Sequence, residues 1–147
     1  MAVEGPRIDL GYLLSTADLR NSTYSGSTRL GPNGSGQFLA VKVSTVGTLC
    51  AQLTTANGAR AIGIVQNKPN AGEALDVTIF GVSKAVAGTT TITAGARLMA
   101  DSSGALALYS SAADVQAIGV ALEAPTAVGQ IFSACIFGFG AGGGSIA

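Results

Sequence analysis

Short runs in which apolar and polar side chains alternate fill most of the chain between residues 37 and 138. Leu39, Val41 and Val43 alternate with Ala40 and Lys42, and Leu75, Val77 and Ile79 alternate with Asp76 and Thr78. A period of two puts every second side chain on one face of an extended strand. The run Thr89-Thr90-Thr91-Ile92-Thr93 is built of β-branched residues and predicts another strand. Leu106 and Leu108 share a face, and Gln130 to Phe137 is continuously apolar or small. Turn signals separate these runs: Asn57-Gly58, Asn70-Ala71-Gly72, Ala94-Gly95, Ser103-Gly104 and Val128-Gly129. Strands this short and this often interrupted predict an all-β fold, a small β-barrel or sandwich, and not βαβ units. Helix is limited to a turn near Ser15 to Arg20 and another near Ser110 to Val115.

The chain also resembles itself. Ala61 to Gly81 reads AIGIVQNKPNAGEALDVTIFG and Ala117 to Gly138 reads AIGVALEAPTAVGQIFSACIFG. Treating Val128 as an insertion aligns Ala-Ile-Gly, a following Pro, a Gly in the turn and a final Ile-Phe-Gly. Each copy predicts strand, Pro-marked loop, Gly turn and strand, and the Gly after Ala-Ile predicts a bulge or a close backbone approach. Two such copies would place equivalent hairpins in one pseudo-symmetric barrel.

Composition divides the chain into three zones: an N-terminal arm (residues 1–36), a β-barrel or sandwich body (37–138) and a Gly-rich C-terminal tail (139–147) whose composition predicts flexibility. The arm is polar and rich in Gly, Ser and Thr, yet it carries a dense apolar cluster: Ile8, Leu10, Tyr12, Leu13 and Leu14. That cluster is the candidate contact with a neighbour, for instance by adding a strand to an exposed sheet edge; the alternative is that it covers its own barrel.

Charge narrows the partners. Only 11% of residues are charged, and eight basic and eight acidic side chains cancel. Nucleic-acid binding draws its affinity from phosphate neutralisation, so a nucleic-acid partner is not expected. No stretch approaches the ~18 apolar residues of a membrane span. The opening Met-Ala-Val-Glu-Gly-Pro-Arg has no apolar run of the kind a secretion signal needs, so synthesis in a cytoplasm is expected. There Cys50 and Cys135 are expected as free thiols, in apolar runs that suit small core residues.

The chain has no His, which removes the commonest general base and metal ligand. The cysteines are too far apart in sequence for a structural zinc site. Eight carboxylates remain (Glu4, Asp9, Asp18, Glu73, Asp76, Asp101, Asp114, Glu123), expected in turns or on outward strand positions. Gly138-Phe139-Gly140-Ala141-Gly142-Gly143 matches G-x-G-x-x-G, but four residues cannot supply the helix a dinucleotide site requires. Asp101-Ser102-Ser103-Gly104 is a hairpin turn and falls short of a calcium loop. No catalytic, cofactor or metal site is expected, and the chain is not expected to be an enzyme.

From Gln37 to Gly138 the order of strands and turns resembles phage head decoration proteins, also called capsid cement proteins. The residues carrying the resemblance are Val46-Gly47-Thr48 to Leu53, Ala61-Ile62-Gly63-Ile64-Val65, Gly72 to Gly81, Ala94 to Leu106 (AGARLMADSSGAL) and Ala117 to Ala124 (AIGVALEA). The arm lies outside it. The resemblance implies a virion protein on the capsid exterior that bridges major capsid subunits, commonly as a homo-oligomer with a trimer favoured. The alternative function is an adhesive or fibre-associated β module binding host-surface glycans, against which the absence of Trp speaks.

Overall fold

The computed structural model describes residues 13–15, 36–44, 50–111 and 115–137. Within them the chain forms β1 (Leu13–Ser15), β2 (Ala40–Val43), β3 (Cys50–Leu53), β4 (Gly63–Val65), β5 (Ala74–Leu75) and β6 (Val77–Thr78). There follow β7 (Gly81–Val86), β8 (Arg97–Ala100), β9 (Leu106–Leu108), β10 (Ala117–Ala121) and β11 (Ile131–Ile136). No helix occurs among the described residues. The expected turns at 16–20 and 112–114 lie outside them, as does the tail 139–147.

Two sheets build the fold, one with the order β5-β1-β3-β2-β4-β6 and one with the order β7-β11-β10-β8-β9. All pairings are antiparallel except β1 with β3. Both sheets curl. In the first, the edge strands β5 and β6 are consecutive along the chain with only Asp76 between them. In the second, a single parallel bridge from Ala87 to Leu106 ties the opposite edges, and the Gly88 N–H donates to the Leu106 carbonyl at 2.7 Å. The all-β expectation is met as a sandwich of two curled sheets, and not as one closed barrel.

The sheets share their core. Leu39, Val41, Leu53, Val65 and Leu75 of the first sheet pack with Val86 and Ala105. Ile92, Leu98, Leu106, Ile118, Phe132 and Ile136 pack with Ala40 and Ile64. Neighbouring residues such as Ala40 and Val41, or Ile64 and Val65, therefore face different clusters and are both buried. This explains why β2 and β4 bury both faces where simple alternation predicts one. Phe38 sits between the sheets, touching both clusters. Its left-handed backbone (φ 66°) lets its N–H reach the Val65 carbonyl at 2.8 Å while its own carbonyl accepts from Val86 at 3.2 Å.

The internal repeat extends well beyond the matching sequence. In the first copy Ile64 pairs with Thr78 and Val65 with Val77; at the equivalent positions Val120 pairs with Cys135 and Ala121 with Ala134. Gly63 faces Val41, and Gly119 faces Leu98. Counting outward, Val41 opposes Leu53 as Leu98 opposes Leu108. Leu14 opposes Ala74 as Val86 opposes Ile131. Even the parallel contact recurs, Ser15 with Ala51 and Ala87 with Leu106. The protein is thus two units of one topology, β1–β6 and β7–β11. The hairpins of the repeat lie in different sheets, which corrects the expectation of one shared barrel.

Two local expectations also change. Thr89–Thr93 is not a strand: the Thr89 hydroxyl turns back to Thr91, pairing with its hydroxyl at 3.0 Å and accepting from its N–H at 3.3 Å. Such local bonds compete with a ladder, and the segment crosses the unit as a loop that inserts Ile92 into the core. The two repeat glycines do mark close approaches. A Cβ at Gly63 would collide with the Thr78 carbonyl oxygen, and one at Gly119 with that of the equivalent Cys135. The ladder also shifts register between Ala117 and Gly119.

Candidate interaction surface

The second sheet presents its outer face to solvent. Along β11, Phe132, Ala134 and Ile136 are buried, so Ile131, Ser133 and Cys135 point outward. Pairing sets Val82, Cys135, Val120 and Arg97 side by side across β7, β11, β10 and β8. The Arg97 guanidinium lies 5.1 Å from the centroid of the Tyr109 ring. Val82 is 70% exposed. Cys135 is a half-buried free thiol in this row, not the core residue expected from its apolar run.

At one end the row meets the crossover between units. Gly81 adopts φ 103°, open to glycine and strained for other residues, and the chain changes sheets there. Ile79 and Phe80, just before it, are 50% and 79% exposed. Phe137, directly after β11, is exposed as well. Ile79, Phe80, Val82 and Phe137 are thus exposed apolar residues next in sequence to the Gly81–Ile136 pair that ends the β7–β11 ladder, and exposed apolar side chains gathered in this way are candidates for a contact surface. The sequence reading missed it because Ile79 continues an alternating strand pattern. The signal available was the Ile-Phe-Gly shared by both repeats.

Charged groups serve turns. The Asp101 carboxylate accepts from the N–H groups of Ser103 at 2.7 Å and Ala105 at 3.1 Å, and Gly104 takes φ 82°. This is the hairpin turn expected between β8 and β9. Glu73 accepts from the Asn70 N–H at 2.9 Å in the turn before β5. Glu123 accepts from the Ser133 N–H at 2.7 Å. Hydrogen bonding from Ser133, aided by the charge of Lys84, holds its carboxyl below the ordinary value. Among the described residues no three His, Cys, Asp or Glu side chains gather as a metal site would require. Of the arm cluster, Ile8, Leu10 and Tyr12 lie outside the described residues. Leu13 and Leu14 belong to β1, whose backbone pairs with β5 and β3 of the same chain.

Among solved structures the fold has a counterpart. The crystal structure of the N base of head fiber gp8.5 in bacteriophage phi29 is similar over 85% of this chain and 90% of that one, with TM-score 0.54 and 12% identity. At that identity the likeness is one of fold. No protein-family model matches the chain, and a search of curated proteins finds no match.

Proposed function

We propose that this protein is a structural component of a phage virion that binds the outside of the assembled head and stabilises it by bridging major capsid subunits, acting as a homo-oligomer, with a trimer favoured. The observation that carries this reading is the likeness of fold, over 85% of this chain and 90% of that one, to a head fiber base. The sparse charge and the exposed apolar run support it. A surface poor in charge loses little solvation when covered, and each apolar Å² removed from water contributes about 25 cal/mol before association costs. Repeated over a shell, modest contacts gain from multivalency. In this reading Ile8, Leu10 and Tyr12 join Phe80 and Val82 in contacting the shell or a neighbouring copy. Leu13 and Leu14 lie in the strand that ties the arm to the body. The chain is made in the host cytoplasm and works on the capsid exterior without a cofactor.

Co-sedimentation with matched expanded heads, with unexpanded heads as control, tests this. Saturable binding at a fixed ratio to capsid subunits is expected. Absence of binding to either form, combined with binding on a glycan array, would favour the adhesive module instead.

A further inference from the structure

Polar contacts as well as a shared core hold the two units together, and a set of them converges on the loop between β3 and β4. Thr54 Oγ1 donates to the Asp101 carbonyl at 2.9 Å. Gln116 Nε2 donates to the Ala61 carbonyl at 3.2 Å. Between these anchors Asn57 and Gly58 form the turn expected of the pair. Gly58 is buried and takes φ 71°. Its N–H donates to the Ala100 carbonyl at 2.7 Å, and its own carbonyl accepts from the Gln116 N–H at 3.2 Å. Asn57 is exposed, and its Oδ1 accepts from the Ser102 N–H at 2.9 Å. Each of these partners belongs to the second unit: Ala100 ends β8, Asp101 and Ser102 open the β8–β9 turn, and Gln116 precedes β10.

Asn followed by Gly is a chemically labile pair, because no side chain shields the glycine nitrogen. Once deprotonated, that nitrogen attacks the Asn Cγ. A C–N bond forms, the side-chain amide leaves as ammonia after taking up a proton, and a five-membered succinimide results. Water then adds to one of the two ring carbonyls and reopens it as aspartate or as isoaspartate. Water is the only co-reactant and nothing is oxidised or reduced. In the folded chain both reacting groups are engaged. The Gly58 proton is held by Ala100, the Asn57 amide is fixed by Ser102, and the Val115 methyl groups pack 2.8 Å from where a Gly58 Cβ would stand.

We propose that Asn57 is a deamidation site that docking of the second unit closes. The Gly58 nitrogen becomes a nucleophile only when its bond to Ala100 opens, and the Asn57 amide turns toward it only when the bond to Ser102 opens. The site is therefore shut in a chain whose units are docked and reactive in one whose units are apart. Isoaspartate at position 57 runs the main chain through an extra carbon, which carries Gly58 away from Ala100. A chain modified in this way no longer closes the seam in register. The inference does not depend on what the protein binds.

The test holds the full chain in mildly alkaline buffer, folded and in urea, and follows the peptide containing Asn57 by mass mapping and by enzymatic methylation of isoaspartate. Two hydrogen bonds must open together, so the folded chain is expected to react about thirtyfold more slowly than the unfolded one. Thr54→Val is the second arm. It removes the hydroxyl that anchors the loop to Asp101, whose carbonyl keeps the Gly104 N–H as a partner at 3.2 Å. At a temperature where circular dichroism finds both proteins folded, Thr54→Val is expected to raise the folded rate about fivefold. Equal rates folded and in urea, no reaction in urea, or a Thr54→Val rate no faster than the parent's would overturn the proposal.

Discussion

Gly119→Ala isolates what the repeat glycines do. Gly119 is not among the glycines with positive φ, so alanine meets no conformational objection there. Steric overlap is the whole effect. A Cβ would stand under 3.0 Å from the Cys135 carbonyl oxygen, 3.2 Å from its carbon and 3.3 Å from the Ile136 Cα, all backbone atoms. Nothing flexible can yield, so β10 and β11 must separate. Overpacking of this kind costs about 1–3 kcal/mol, and stretching one ladder hydrogen bond adds about 1 kcal/mol. A total near 3 kcal/mol corresponds to a fall in Tm of roughly 6–12 °C for a chain of this size. Thermal unfolding followed by circular dichroism measures it, with Gly63→Ala expected to behave alike. Gly95→Ala is the control: φ is 84° and nothing lies within 4 Å, so only the left-handed cost of about 1–2 kcal/mol applies. If Gly119→Ala melts within 1 °C of the parent, the two strands are not in the contact described and the reasoning fails.

Three further outcomes are expected. Ile92→Ala, which empties a fully buried core position, costs about 2–5 kcal/mol in denaturant unfolding, whereas Thr90→Ala on the same loop is nearly silent. Glu123 has a carboxyl held below its ordinary value of 4.5, so its stabilising share is present above that pH and lost as pH falls through the lower folded value. Glu123→Gln should flatten that part of a Tm-against-pH curve. Phe80→Ser at an exposed site should leave stability within about 0.5 kcal/mol. In the proposed role it weakens head binding about tenfold or more, since burying a Phe contributes about 1.5–3 kcal/mol.

Much of the architecture was legible in the pattern of residues. Alternation located β2, β6 and β9, and the aligned Ala-Ile-Gly and Ile-Phe-Gly segments located two hairpins whose registers match residue for residue. What the pattern hid was tertiary. Thr89–Thr93 has the composition of a strand, but its hydroxyls bond locally and Ile92 is drawn inward, so the segment became a loop. Cys135 lies in a run whose one internal polar residue, Ser133, is small enough for either face, and pairing with Val82 and Val120 showed that both point outward. The exposed Phe80 belongs to a sheet crossover at Gly81, which an alternating template carries straight through. The wider duplication was invisible because β1 and β7, or β3 and β9, share a place in the ladder and hardly a residue.

The two-unit plan also sets an order of events during synthesis. Each unit's closing strand comes first in its own sequence and last in its pairing: Leu13 must wait for Leu75, and Gly81 for Ile136. Chains emerge N-terminus first, so the first unit can assemble its ladder while β7 still has no partner on β11. Through that interval β7, the counterpart of β1, is a nascent strand able to compete with β1 for β5 of its own chain or of another. Long-range pairings of this kind form slowly. How promptly β1 pairs with β5 therefore bears on whether newly made copies mature singly or exchange strands on the way.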